Sequence, residues 1–192
     1  MKMLLLLQLS LPAYASTTIV LIGGGKRPVE ALKVLLDAKK AGPVVVLPWG
    51  TGAPLESFAN IKKELQDIAP VQVECLCDET TDLTLMKNAG ALYFPGGDQN
   101  KIMKRILSEN LKPQITEMYQ SGIPVGGTSA GTAIQTDPML TGVESETAEG
   151  LGLLPYYIVD QHYLVRRREN RLVYALDMNP TLSGVGVDED MS

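Results

Sequence analysis

The chain has 192 residues, which suits one compact domain, and a domain of this size buries a core without needing disulfides or a metal. Apolar residues make up 45% and charged residues 20%, which excludes a disordered chain or a coiled coil. The net charge of -5 opposes nucleic-acid binding, because phosphate contacts need a basic surface. We therefore expect a globular protein that binds no nucleic acid.

Residues 1–15 have the pattern of a secretory signal peptide. Lys2 is a minimal positively charged start, residues 3–11 are mostly apolar, and A-Y-A at 13–15 is a small-x-small cleavage site. The apolar run is too short to span a bilayer, so we expect no membrane span. We predict one mature domain over 16–192 in a secreted or periplasmic protein. If the first segment instead packs on the domain as a helix or strand, the protein is cytoplasmic.

Short apolar runs then alternate with segments of helical spacing. The predicted strands are 19–22, 44–47, 71–77, 91–94, 123–126 and 185–187. The predicted helices are 28–41, 54–69, 83–88, 99–108, 111–120 and 164–176, with a further helix that begins at Ala130. This order predicts an α/β fold, a three-layer sandwich with a mainly parallel sheet. Glycine-rich segments follow the strands, so they gather at the carboxyl edge of the sheet, where ligands bind.

The two cysteines, Cys75 and Cys77, lie in the predicted strand 71–77, where a period of two points both side chains the same way. We expect both to be buried as small hydrophobic residues. Two cysteines and a single histidine do not make a zinc site without carboxylate ligands, so we expect no metal and no cofactor.

The strongest chemical signal is the G-x-S-x-G segment at 127–131, between a predicted strand and a predicted helix. This is the pattern of a nucleophile elbow, whose glycines allow a sharp turn that exposes the hydroxyl of Ser129 above the sheet. The turn also directs the N–H of Ala130 toward a developing oxyanion. The alternative is a turn that only binds an anion at the helix N-terminus.

His162 is the only histidine, so it is the only imidazole that could act as the base for Ser129. It follows the apolar run 153–159, on the side where the serine is expected. A carboxylate should orient the imidazole. The candidates are Asp188, Glu189 and Asp190, with Asp160 and Asp177 as alternatives. An acid at 188–190 gives the order Ser, His, acid, which differs from the order Ser, acid, His of the α/β-hydrolases.

The segment after strand 91–94 carries further polar groups. Gly97 or Asp98 could supply a second N–H to the oxyanion, and Gln99 could hydrogen-bond a substrate. The alternative is a tight turn in which Asp98 caps the next helix.

Three arginines follow the histidine closely, namely Arg166, Arg168 and Arg171. Their planar guanidinium groups could bind the carboxylates of an acidic substrate. The alternative is an exposed helix face on which Glu169 is a local ion-pair partner.

These segments together resemble the cyanophycinases and the related aspartyl dipeptidases. The similar motifs are G-G-G at 23–25, P-G-G-D-Q at 95–99, G-G-T-S-A-G at 126–131, D-Q-H-Y at 160–163 and G-V-G-V-D-E at 184–189. The D-Q-H segment, with arginines four, six and nine residues after the histidine, separates cyanophycinases from the dipeptidases. The resemblance extends from about Ile19 to Asp190.

The resemblance implies a class I glutamine amidotransferase-like (flavodoxin-like) fold, a homodimer and a triad of Ser129, His162 and Glu189. It implies a serine peptidase that cleaves cyanophycin, a poly-aspartate bearing arginine on each side chain, into β-Asp-Arg dipeptides through an acyl-enzyme. The substrate-contacting positions of the family fall on Gln99, Asp160, Gln161, Arg166, Arg168 and Arg171.

The chain departs from the family pattern in three places. Tyr163 replaces a phenylalanine, and the stretch 136–150 is shorter. Family members continue past Ser192 with further strands, so we expect a chain truncated at its carboxyl end, with Glu189 unsupported near a frayed terminus. The alternative functions are an aspartyl dipeptidase-like exopeptidase and a catalytically inactive amidotransferase-like binding domain.

Overall fold

The computed structural model describes residues 17–77 and 83–192, so the predicted signal peptide lies outside the described residues. A five-stranded sheet forms the centre. Its strands are β1 (Ile19–Ile22), β2 (Val44–Val46), β3 (Val73–Cys75), β4 (Ala91–Phe94) and β5 (Val125–Thr128). Their spatial order is β1-β5-β4-β2-β3, and the neighbouring pairs are parallel. Continuous runs of valine, isoleucine and leucine suit such strands, because helices bury both faces of a parallel sheet.

Helices cover both faces of the sheet. They are α1 (Val29–Ala38) and α2 (Pro54–Ile68) on one face, and α3 (Leu83–Lys87), α4 (Gln99–Ser108), α5 (Lys112–Gln120) and α6 (Ala130–Ala133) on the other. Alternate residues of β2 show the two faces: Val44 and Val46 pack with α1 and α2, whereas Val45 packs with the other helices. The predicted three-layer α/β architecture is confirmed. In the described part of the chain, no helix is long and apolar enough to cross a membrane.

A smaller parallel pair of strands follows the main sheet. The remaining elements are β6 (Met139–Leu140), β7 (Thr147–Ala148), β8 (Tyr157–Gln161), α7 (Glu169–Met178) and β9 (Ser183–Val187). β6 and β7 form an antiparallel hairpin, and β8 pairs with β9 in parallel. The sequence pattern predicts neither the hairpin nor β8. Burial of Leu140, Ile158 and Leu172 in one cluster holds these elements together.

The helix predicted from residue 164 begins only at Glu169. Residues 163–167 form a turn instead, because Arg167 has a φ of 52°, a left-handed conformation that interrupts a helix. The N–H groups of Leu164 and Val165 point to the carboxylate of Asp188, at 3.0 and 3.1 Å. The prediction was wrong here because the spacing of apolar residues does not reveal this distant acceptor.

The expectation that both cysteines are buried hydrophobic residues is also wrong. Cys75 and Cys77 are half-buried and form a disulfide, with Cα atoms 5.2 Å apart. Strand pairing ends at Cys75, so the alternation that the pattern assumes stops there and the chain bends enough for the two sulfurs to meet.

Candidate active site

Ser129 lies on the tight turn between β5 and α6, as the motif predicts. Its φ of 52° and ψ of -110° are strained for a residue with a side chain. The N–H of Ser129 donates to the carbonyl of Ile22 on β1 at 2.8 Å. The turn is thereby held at the carboxyl edge of the sheet, with the serine side chain half-buried.

Close packing around this turn explains the glycines of the motif. A Cβ at Gly127 would overlap the carbonyl of Gly131, and a Cβ at Gly131 would overlap the carbonyl of Phe94. The buried hydroxyl of Thr132 lies 2.7 Å from the carbonyl oxygen of Ile22 and 2.8 Å from that of Gly127. Backbone and side chain together therefore fix the position of the serine.

His162 follows β8 directly and faces this turn. Its Nε2 lies 2.8 Å from Ser129 Oγ, and its own N–H donates to the carbonyl of Gly23 at 2.9 Å. The ring packs against the backbone of Gly24, where a Cβ would overlap it. The structure thus brings the predicted base and the predicted nucleophile into hydrogen-bond contact.

Glu189 is the carboxylate that contacts the imidazole. Its Oε1 lies 2.6 Å from His162 Nδ1. The surrounding segment is held by the loop after β1: the N–H of Asp190 donates to the carbonyl of Gly24 at 2.9 Å, and the N–H of Gly23 donates to the carbonyl of Met191 at 3.1 Å. The expectation of an unsupported acid at a frayed terminus is therefore wrong.

The other candidate carboxylates have different partners. Asp188 accepts two backbone hydrogen bonds, and Asp190 accepts one from the N–H of Lys26 at 2.5 Å. Asp160 pairs with Arg171, and Asp177 is exposed on α7. Geometry thus selects Glu189 from a set that the sequence leaves open.

The surroundings of His162 favour its neutral form. Burial lowers the pKa of His162 below its ordinary value of 6.5, the positive charges of Arg166 and Arg168 lower it further, and the hydrogen bond to Glu189 opposes them. A carboxylate only accepts hydrogen bonds, so Nδ1 carries the proton and Nε2 is the free acceptor facing the serine. This is the tautomer that a general base needs.

The two predictions for a second oxyanion donor have different outcomes. The N–H of Asp98 donates to the carbonyl of Gly50 at 2.8 Å, and its carboxylate caps α4, so the prediction of Asp98 as a donor is wrong. The N–H groups of Gly97 and Ala130, by contrast, have no acceptor among the described residues, so both predictions stay open. Gly96 lies beside Ser129, since a Cβ at Gly96 would be 3.4 Å from the serine Cβ.

The predicted substrate residues mostly bind one another. Asp160 is fully buried and accepts from both Nε (2.8 Å) and Nη2 of Arg171. Arg168 Nη1 donates to the carbonyl and side-chain oxygens of Gln161, at 2.7 and 2.8 Å. Asp160, and not Glu169, is therefore the ion-pair partner of Arg171 and, at 3.4 Å, of Arg168.

The last two predicted substrate residues differ in exposure. Gln99 is buried, and its amide donates to the carbonyl of Leu140 at 3.1 Å. Arg166 is exposed and has no ion-pair partner among the described residues. In the same described part of the chain, no cluster of His, Cys, Asp or Glu could hold a metal ion.

The sequence interpretation missed the contact of Asp188 with the turn after His162. The parallel register pairs Gln161 with Val187, so the next residues of the two strands lie side by side. Recognition of β8 as a strand would have revealed this, but its apolar run does not distinguish a strand from other buried structure.

A serine hydroxyl, an imidazole and a carboxylate in hydrogen-bond contact at the carboxyl edge of a parallel sheet are the arrangement that a serine hydrolase uses. The chain belongs to Peptidase family S51, whose family model matches residues 19–192. It is a serine peptidase of this family, as the resemblance predicts.

Comparisons with individual proteins agree with this assignment. The chain is 26% identical to a cyanophycinase from Trichormus variabilis, with 96% of this chain and 69% of that protein covered. It is 27% identical to a cyanophycinase from Geminocystis herdmanii, with 92% and 73% covered. The crystal structure of a peptidase from an acI-B1 Actinobacterium matches the fold with a TM-score of 0.69 at 23% identity, covering 92% of this chain and 82% of that one.

Proposed function

We propose that the protein hydrolyses cyanophycin to β-Asp-Arg dipeptides through an acyl-enzyme. The observation that carries the chemistry is the line of contacts from Ser129 through His162 to Glu189, at 2.8 and 2.6 Å. The choice of substrate is supported by the similarity to cyanophycinases and by the D-Q-H segment with its spaced arginines.

In the proposed mechanism, Ser129 Oγ attacks the scissile carbonyl carbon while His162 Nε2 accepts the hydroxyl proton. Glu189 keeps the proton on Nδ1 and stabilises the imidazolium that forms. The N–H groups of Ala130 and Gly97 donate to the oxyanion. The imidazolium then protonates the leaving amine. Water, deprotonated by the neutral imidazole, attacks the acyl-enzyme and frees the serine.

We further propose that the exposed guanidinium of Arg166 binds a carboxylate of the polymer. The ion pair of Asp160 and Arg171 holds α7 beside β8, and Arg168 holds the side chain of Gln161. These contacts form a wall next to His162, against which the extended polymer can lie. Of the six positions that the family resemblance marks as substrate contacts, we propose only the exposed Arg166 as a direct contact, whereas the buried Asp160 supports the wall from within.

The test is release of β-Asp-Arg from purified cyanophycin by the full chain, beside Ser129→Ala. We expect the variant to lose on the order of 10⁶ in kcat, because a triad acts as a unit. A serine-reactive fluorophosphonate should label the wild type at Ser129. A folded wild type that neither labels nor cleaves would exclude a serine peptidase mechanism.

A different substrate would give a different pattern in the same assay. Labelling together with cleavage of Asp-X dipeptides, but not of polymer, would favour an aspartyl dipeptidase.

Two further properties stay predictions. Export after cleavage of the signal peptide would be checked by N-terminal sequencing of the exported protein, and assembly as a homodimer would be checked by light scattering.

A further inference from the structure

His162 has an unusual backbone conformation for a residue with a side chain. Its φ is 51°, in the left-handed region, where such residues are strained and persist only if their surroundings hold them. On its amino side, the N–H of His162 donates to Gly23 at 2.9 Å. On its carboxyl side, the N–H of Tyr163 donates to Val187 at 3.3 Å. The direction of the imidazole therefore depends on how the following turn is fixed.

Asp188 fixes that turn from the neighbouring strand. A single oxygen, Oδ1, accepts the N–H groups of Leu164 at 3.0 Å and of Val165 at 3.1 Å. The turn closes over this carboxylate, since the N–H of Arg166 donates to the carbonyl of His162 at 3.1 Å. The two N–H groups have no other acceptor in the described part of the chain.

The carboxylate is suited to this contact because it is charged. The backbone hydrogen bond from Val165 is the main cause that lowers the pKa of Asp188, and the bond from Leu164 and the charge of His162 act in the same direction. Asp188 is therefore ionised at neutral pH, and hydrogen bonds to a charged acceptor are roughly twice as strong as those to a neutral one.

We propose that Asp188 is a positioning residue, which holds the turn after His162 so that Nε2 faces Ser129. The inference rests on the proposed function, in which His162 is the base. Asp188 acts through the backbone, whereas the neighbouring Glu189 contacts the ring directly. Adjacent carboxylates thus have separate tasks: one orients the main chain and the other holds the proton on Nδ1.

The charge of Asp188 should also affect the pH dependence of the reaction, which gives a second way to test its role. The charged groups that face His162 are Glu189 and Asp188 from the segment after β9, Arg166 from the following turn and Arg168 just before α7. A negative neighbour favours the imidazolium. Removal of Asp188's charge therefore lowers the pKa of His162 and moves the acid limb of a pH–rate profile to lower pH.

The experiment measures how fast a fluorophosphonate labels Ser129 across pH, because this reports activation of the serine without any choice of substrate. In Asp188→Ala both acceptor and charge are lost, and we expect labelling to slow about 10- to 100-fold. In Asp188→Asn the Oδ1 acceptor remains, so labelling should slow by less than about tenfold, with the acid limb moved to lower pH. Asp177→Asn removes the same charge from an exposed position on α7 and is the matched control.

Each outcome decides the question. If Ser129 of Asp188→Ala is labelled at the wild-type rate, and the acid limb of the pH–rate profile stays at the same pH, the inference is overturned and the proposed function stands. If Asp188→Ala does not fold by circular dichroism, the acid limb of Asp188→Asn decides, and an unmoved limb overturns the inference. If folded wild type is not labelled at Ser129, the proposed function fails first, and the inference fails with it.

Discussion

Replacement of Arg171 by leucine tests how strongly the site depends on a buried ion pair. The side chain of Asp160 is 0% exposed and that of Arg171 is 11% exposed. Without Arg171, the carboxylate keeps only the N–H of Gln161 at 2.9 Å and Arg168 Nη1 at 3.4 Å as partners. The change therefore leaves a buried charge with too few hydrogen bonds.

Removal of one partner from a buried pair costs about 3–5 kcal/mol. Because Arg168 stays near the carboxylate, we expect the lower end of this range, a loss of about 3 kcal/mol. The total free energy of unfolding of a domain is roughly 5–15 kcal/mol. In a domain of this size each 1 kcal/mol corresponds to roughly 2–4 °C, so Tm should fall by roughly 6–12 °C. Asp160→Asn in the Arg171→Leu background removes the stranded charge and should recover about 1 kcal/mol or more.

The assay is urea unfolding followed by circular dichroism for the wild type, both single variants and the double variant. Lys63→Ala is the control, because its ion pair with Asp67 has side chains 75% and 62% exposed and should contribute less than about 0.5 kcal/mol. If Arg171→Leu costs no more than this control, or if the two changes are additive, the pair does not stabilise the site as argued.

Other contacts can be tested one at a time. Because burial lowers the pKa of His162, the base stays neutral to lower pH, and the acid limb of kcat/KM should lie below pH 6.5; an inflection above that value contradicts the assignment. Gly24→Ala forces a Cβ into the imidazole, so fluorophosphonate labelling should slow on the order of 10²-fold, and unchanged labelling would refute the packing. Asp98→Ala removes the side chain that caps α4 and should cost about 1 kcal/mol in urea unfolding, and an unchanged free energy of unfolding would contradict the cap. Mass spectrometry should find Cys75 and Cys77 of the unfolded protein alkylated only after reduction, and alkylation without reduction would exclude the disulfide.

Much of this protein could be inferred from local sequence. The apolar runs of β1 and β4 and the helical spacing of α2 and α4 predict elements close to those observed, because burial imposes these periods on short segments. Their alternation predicts the parallel sheet, and a G-x-S-x-G segment after a strand predicts the turn that carries Ser129. The base was predicted by elimination, because the chain has one histidine.

Only the tertiary structure decided among groups of the same type. Asp188, Glu189 and Asp190 are neighbours of similar chemistry, yet each meets a different partner, namely a turn after β8, an imidazole and the loop after β1. Contacts with distant residues also explain why α7 starts late and why the N–H of Asp98 is not available to an oxyanion. These outcomes depend on contacts between residues far apart in the chain, such as His162 and Glu189, which are 27 positions apart, and no local pattern records them.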